Sequence, residues 1–348
     1  MTWRSAAVMS MTPPGIDLDR LRTRLAAPLR CASEDLAVSI IDGGRSNLTY
    51  RITDGNRAWV LRRPPLGHVL PTAHDMAREY RVMSALARAG VPVPGTVLYE
   101  ADVSVIGAPF FVMEYVDGLV VRSDADADGL TESEAARAAD DLVDQLAALH
   151  EVGPEPAGLA QLGRPDGFLE RQVHRWLRQW HDSGGTARSL PLDQLAERLA
   201  TRLPRPQRAA IVHGDYRLDN AILTAHDRGR IAAIIDWEMA TLGDPLADLG
   251  LLLTYWSPVS ARVTGDGHPV SAHPGFPGAN RLVDRYRERT GLRLDDISWY
   301  LAFGHYKLAV IAQTIHARYL QGRTVGPRFE TAGQAVPDLI ERAAELLR

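Results

Sequence analysis

Asp215 and Asn220 stand five residues apart in the run Ile211-Val-His-Gly-Asp-Tyr-Arg-Leu-Asp-Asn220, and a third acidic group, Asp236, follows the short apolar run Ile231 to Ile235. A polar turn bearing a carboxylate and an amide, then a strand ending in a second carboxylate, suits phosphoryl transfer. That chemistry needs one carboxylate to orient an attacking hydroxyl and accept its proton. It also needs oxygen ligands that hold Mg²⁺ on nucleotide phosphates. Asp215 suits the first task, and Asn220 and Asp236 suit the second. Glu238 is close enough in sequence to touch metal or substrate, while His213 is read as packing beneath the loop. Downstream, Asp244 reads as a cap for a helix that begins with Pro245, and Asp248 as a brace for the loop. His150, which closes Leu-Ala-Ala-Leu-His, reads as a packed residue.

These groups need a scaffold. Ile16 to Arg30 has the apolar spacing of an amphipathic helix. Ala37 to Asp42, Leu48 to Thr53 and Ala58 to Arg62 read as strands, with Asp54-Gly55 as a hairpin turn. Pro71 to Arg88 reads as a helix ended by Gly90 and Pro92, and Thr96 to Glu100 and Phe110 to Tyr115 as further strands. After Asp117-Gly118 the texture changes to long amphipathic helices near 131–151, 166–182, 191–203, 279–291, 295–322 and 330–347. The alternating Asp124-Ala-Asp126-Ala-Asp128 lacks the ligand spacing of a calcium loop and reads as a solvated linker. Between two strands, Gly43-Gly-Arg-Ser-Asn47 offers a flexible backbone that can approach phosphates and donate N–H groups. Gly43, Gly44, Ser46 and Asn47 are its candidate phosphate-facing residues.

The pattern His-Gly-Asp215 with Asn220, then Asp236-Trp-Glu and Gly243-Asp-Pro-Leu-Ala-Asp-Leu-Gly250, resembles the aminoglycoside phosphotransferase/choline kinase family. The resemblance spans roughly residues 35 to 348. It implies an α+β, protein-kinase-like two-lobe fold, with a small antiparallel-sheet N-lobe and a mostly helical C-lobe. The expected division is an N-terminal helical extension at 1–34, the N-lobe at 35–116 and the C-lobe at 117–348. ATP, or GTP, and Mg²⁺ are the implied cofactors. Arg217 then lies where many kinases place a cation beside the transferring phosphoryl group. Phe110-Phe-Val-Met-Glu-Tyr-Val-Asp-Gly118 resembles the kinase hinge, with the Glu114 carbonyl and the Val116 N–H offered to the adenine edge.

One departure is plain. The family places lysine on the third strand to hold the α- and β-phosphates against a helix glutamate, and here Trp59-Val-Leu-Arg62 offers Arg62, with Glu79 as the partner. An arginine fork can hold phosphate and carboxylate together. Arg63 falls on the opposite strand face. Lys307 is the only lysine among 39 basic residues and lies in a C-terminal helix.

Gly43-Gly-Arg-Ser-Asn-Leu-Thr-Tyr-Arg51, Val60-Leu-Arg-Arg-Pro-Pro-Leu-Gly67, Phe168-Leu-Glu-Arg-Gln172 and Tyr306-Lys-Leu-Ala-Val-Ile311 look most like the branch fused to, or encoded beside, acyl-CoA dehydrogenases. That branch implies a small hydroxylated metabolite as acceptor, such as a hydroxy acid or hydroxyacyl thioester, and a functional link to an acyl-CoA dehydrogenase. The chain shows no flavin-binding region of its own. An antibiotic phosphotransferase, above all one for aminoglycosides, and a binding-only pseudokinase are the alternatives. A protein kinase is disfavoured, because Asp-Phe-Gly and Ala-Pro-Glu are missing and Pro258 to Pro277 reads as an acceptor-site loop.

Composition describes an ordinary soluble globular protein. The 348 residues suffice for two lobes, 45% are hydrophobic and 24% charged, and the net charge of -4 argues against a dedicated nucleic-acid partner. Cys31 is the only cysteine, so no intrachain disulfide forms and a cytoplasmic setting is expected. No apolar run approaches the ~20 residues of a membrane span, and the N-terminus lacks a signal-peptide core. Translation could start at Met1, Met9 or Met11.

Overall fold

The computed structural model describes residues 13–41, 47–66, 74–183, 190–264, 269–321 and 332–348. It comprises two compact units, one of residues 1–117 with 232–238 and the other of residues 118–231 with 239–348. The short segment 232–238, which carries Asp236, thus belongs to the first unit.

In the first unit, α1 (Leu18–Leu29) begins on Asp17, whose carboxylate accepts the Arg20 N–H, and buries Leu21, Leu25 and Leu29 at helical spacing. Strands β1 (Ala37–Ile40), β2 (Leu48–Thr53), β3 (Ala58–Arg63), β4 (Thr96–Glu100) and β5 (Phe110–Glu114) form an antiparallel sheet in the order β1-β2-β3-β5-β4. The β2–β3 turn closes on Asp54, whose carboxylate accepts the N–H groups of Asn56 and Arg57, while Gly55 supplies φ +90°. Between β3 and β4, α2 (Met76–Arg88) starts on Asp75, which accepts the Arg78 N–H at 2.9 Å. The expected helix start at Pro71 falls outside the described residues. Tyr50, Ile52, Leu61, Phe110 and Val112 form a buried core on the sheet.

The second unit opens with β6 (Gly118–Leu119) and α3 (Asp124–Ala127). The expected solvated linker at 124–128 is instead a helical turn, because Ser123 and Asp126 cap it reciprocally. There follow α4 (Glu132–Glu151), α5 (Phe168–Asp182), α6 (Leu190–Thr201), β7 (Ala210–Val212), β8 (Ala221–Thr224) and, after β9 (Ile231–Ile234), of which residues 232–234 belong to the first unit, β10 (Thr241–Gly243). Then come α7 (Leu246–Tyr255), α8 (Ala261–Thr264), α9 (Ala279–Thr290), α10 (Ile297–Leu320) and α11 (Val336–Leu346). Strand β7 pairs antiparallel with β10, with Val212 opposite Thr241, and so fixes the start of the loop that carries Asp215. Helices α7 and α10 approach closely through glycine: a Cβ on Gly250 would lie 2.5 Å from the Tyr300 carbonyl oxygen, and one on Gly304 2.2 Å from Thr254 Oγ1. Among the described residues, no helix is long and apolar enough to cross a membrane.

Candidate active site

Within the second unit, the loop after β7 is held at its His213, Gly214 and Asp215 N–H groups. The carboxylate of Asp248, on α7, accepts the His213 N–H at 2.6 Å and the Gly214 N–H at 2.8 Å. Asp248 is itself buried against His150 at 3.3 Å, and His150 contacts the Tyr286 hydroxyl at 2.7 Å. Burial opposes the Asp248 charge, but His150, His213 and the Gly214 N–H outweigh it and hold its carboxyl below the usual range. Gly214 sits at φ +84°, and a Cβ there would lie 2.8 Å from the Met239 carbonyl oxygen, so this turn requires glycine. The His213 ring, fully buried, receives the Asp215 N–H on Nδ1 at 3.2 Å. Tyr216 anchors the far side by donating its hydroxyl to the Leu142 carbonyl at 2.7 Å.

Asn220 comes back to Asp215 through the single 3₁₀ turn Leu218–Asn220. Its Nδ2 donates to the Asp215 carbonyl at 2.8 Å and to Asp215 Oδ2 at 3.1 Å. With the nitrogen committed, the remaining polar atom of that side chain is an oxygen, the ligand type Mg²⁺ takes. Arg217 lies 3.6 Å from Asp215 Oδ2 and 3.3 Å from Asp219 Oδ2, with its guanidinium 4.7 Å from the Tyr255 ring centroid. Asp215, Arg217 and Asn220 are therefore brought together. Asp244 accepts the Leu246 N–H at 3.0 Å at the start of α7 and the Tyr300 hydroxyl at 2.7 Å.

A second cluster lies within the first unit. Arg62 on β3 donates Nη1 to Glu79 Oε1 at 2.7 Å and Nη2 to Asp236 Oδ1 at 3.0 Å. Sequence reasoning paired Arg62 with Glu79 but missed Asp236. A strand and a distant loop carry no local signal of such a contact. Asp236 takes φ +70°, strained for a residue with a Cβ, and keeps 31% side-chain exposure. The Asp236 carboxylate, an oxygen group of the kind that hard cations take as ligand, is thus partly open to solvent. Burial pushes the Glu79 carboxyl up to about 7, with Asp236 and Glu238 adding to it and Arg62 opposing. Burial also works against the Arg62 charge, but Glu79 and Asp236 more than offset it and raise its pKa.

Asn47 is buried and gives its Nδ2 to Glu238 Oε2 at 2.9 Å, so that nitrogen is committed to a carboxylate rather than standing ready for a phosphate. Gly43, Gly44 and Ser46 lie outside the described residues. Arg63 points away from Arg62 and donates to the carbonyls of Gly15 and Ile106, the latter at 2.9 Å. Glu114 ends β5 with its N–H on the Gly95 carbonyl at 2.7 Å, and Val116 follows in the connection to β6. Lys307 lies in the expected C-terminal helix, α10, and from there donates to the Gly214 carbonyl within the second unit.

Known proteins bear on this geometry in three ways. The chain is 35% identical over 318 residues to acyl-CoA dehydrogenase family member 11 of Rattus norvegicus, covering 90% of this chain and 40% of that protein. It thus spans about two-fifths of the length of that relative. A solved structure of a candidate aminoglycoside phosphotransferase from Ralstonia eutropha superposes with a TM-score of 0.79 at 30% identity, covering 95% of this chain and 98% of that one. Aminoglycoside phosphotransferase APH(4)-Ia, solved with ADP and hygromycin B, shares the fold at a TM-score of 0.60 and 15% identity, covering 94% of this chain and 98% of that one. The kinase-like, two-lobe α+β architecture is common to all of these structures. The sequence model of the phosphotransferase enzyme family matches residues 37–274, well over half of the length, and the chain belongs to that family.

Proposed function

We propose that the protein is an ATP- and Mg²⁺-dependent small-molecule kinase that moves the γ-phosphate of a nucleotide to a hydroxyl of a small metabolite. The observation that carries this reading is the braced loop. Asp248 fixes His213 and Gly214, and Asn220 bonds both the backbone and the carboxylate of Asp215. A base pinned this firmly spends little free energy on reorganisation when the acceptor hydroxyl arrives. Asp215 orients that hydroxyl and takes its proton as the new P–O bond forms and the bond from the γ-phosphorus to the bridging oxygen breaks, with ADP leaving. Arg217 stabilises charge on the transferring group. Asn220 and Asp236 each offer an oxygen to Mg²⁺, which supplies charge neutralisation at the phosphates when bound. Arg62, fixed by Glu79, contacts the α- and β-phosphates in place of the family lysine. Gly43, Gly44, Ser46 and Asn47 complete the phosphate loop through their backbone, and the Glu114 carbonyl and Val116 N–H take the adenine edge. ADP in the complex of APH(4)-Ia supports nucleotide use by this fold, with GTP the alternative donor.

A hydroxy acid or hydroxyacyl thioester is the acceptor class we favour. Likeness to acyl-CoA dehydrogenase family member 11 supports it, together with a working link to such a dehydrogenase. The second reading, an aminoglycoside kinase, rests on hygromycin B in the APH(4)-Ia complex. Calorimetry with ATP, with and without Mg²⁺, followed by a phosphate-transfer screen over hydroxy acids, hydroxyacyl thioesters, amino alcohols and aminoglycosides, tests both. Nucleotide binding that strengthens with Mg²⁺ is expected. No response at millimolar nucleotide would sink the site assignment, and turnover of aminoglycosides alone would establish the second reading.

A further inference from the structure

Of the 39 basic residues, one is lysine, and it is not on the surface. Lys307 on α10 is 5% exposed and lines a small cavity with Trp176, Gln172, Phe303, Gly304 and Asp248. Its ammonium stands 5.0 Å from the Trp176 ring centroid and donates to the Gly214 carbonyl. That carbonyl belongs to the peptide joining Gly214 to Asp215. The same short stretch gives its N–H groups at His213 and Gly214 to Asp248 and its N–H at Asp215 to the His213 ring. An anion therefore holds two donors of this turn, an imidazole holds the third, and a cation holds its carbonyl.

We propose that Lys307 is a positioning residue for phosphoryl transfer, fixing the Gly214–Asp215 peptide and through it the Asp215 carboxylate. The inference rests on Asp215 being the base of the reading above. Burying an ammonium beside one carbonyl and one ring is costly unless the charge does something there. A compact ammonium on a four-carbon stem can reach a single carbonyl between an aromatic face and a glycine, whereas a planar guanidinium needs room for its fork. The sole lysine thus marks a place where arginine, used everywhere else, does not fit the task. The charged groups bearing on the ammonium are Asp215, Asp248 on α7, Arg175 on α5, and Arg217. Burial draws its pKa down to about 8, against the pull of Asp215 and Asp248.

Because the chain has one lysine, ¹³Cε-lysine labelling yields one side-chain signal to titrate by NMR in the wild-type protein, with no acceptor required. We expect one transition near pH 8 that moves lower in Asp215→Asn, where an opposing charge is removed. A transition indifferent to Asp215→Asn overturns the proposal. In turnover assays, Lys307→Met should lower kcat by roughly 10–100-fold, the worth of one charge-assisted hydrogen bond, while leaving KM for ATP unchanged. It should also remove the alkaline fall in kcat near pH 8, and Lys307→Arg should recover only part of the rate. A Lys307→Met enzyme with full kcat per folded molecule and only a lowered melting temperature overturns the positioning role. Wild-type protein that binds no nucleotide and transfers no phosphate overturns the kinase reading beneath it, whatever the lysine titration shows.

Discussion

Asparagine at position 215 preserves the size of the side chain and the Asn220 contact to the backbone while removing the proton acceptor. Asp215→Asn should therefore leave nucleotide binding nearly intact and lower turnover by about 10²–10⁴-fold. Asp236→Ala should instead weaken both Mg²⁺-dependent binding and turnover, and calorimetry beside rate measurement separates the two patterns. Arg62 is fixed by two carboxylates, so Arg62→Lys, with one point charge for a fork, should keep partial activity, and Arg62→Ala should lose far more. Arg63→Ala should spare the chemistry but lower stability, because the Gly15 and Ile106 carbonyls lose their donor. The Glu79 carboxyl, raised by burial above its unfolded value, binds its proton more tightly in the folded state. Its stabilising contribution is complete below about pH 4.5 and is lost as pH rises through about 7. Melting curves of wild type and Glu79→Gln across that window should diverge, with the wild type losing ground toward neutral pH.

At the scale of elements, two glycines make sharp tests. Gly214→Ala forces a Cβ into a left-handed turn, costing about 1–2 kcal/mol from the backbone alone, and presses it on the Met239 carbonyl. The loop must shift, so turnover should fall by more than the melting temperature suggests. Gly250→Ala should prise α7 from α10, costing about 1–3 kcal/mol in a denaturant titration. Much of the scaffold was legible in advance because its signals are local. Leu21, Leu25 and Leu29 repeat at helical spacing, Asp54-Gly55 closes a hairpin, and the strand Leu48–Thr53 was bounded correctly. The two- and three-residue strands β6 and β10 were not legible, since so few residues show no period. Within the site, Asp215 and Asn220 were legible because they are five residues apart in one turn. The Arg62–Asp236 contact was not, with 174 residues between them, nor was Lys307 against Gly214, 93 residues away. Ser123 and Asp126 showed the reverse failure: a capping box was present in sequence, but the acidic alternation masked it.

For the whole molecule, the arginine-rich composition has a practical consequence. A protease that cuts only after lysine has one site in this chain, and that site lies on the buried half of α10. Cleavage there requires the helix to open, since a protease needs several residues of extended chain. Native protein should survive a brief pulse of such an enzyme, whereas unfolded protein should yield two fragments, residues 1–307 and 308–348. The fraction cut against urea concentration then reads the population of molecules in which α10 has opened.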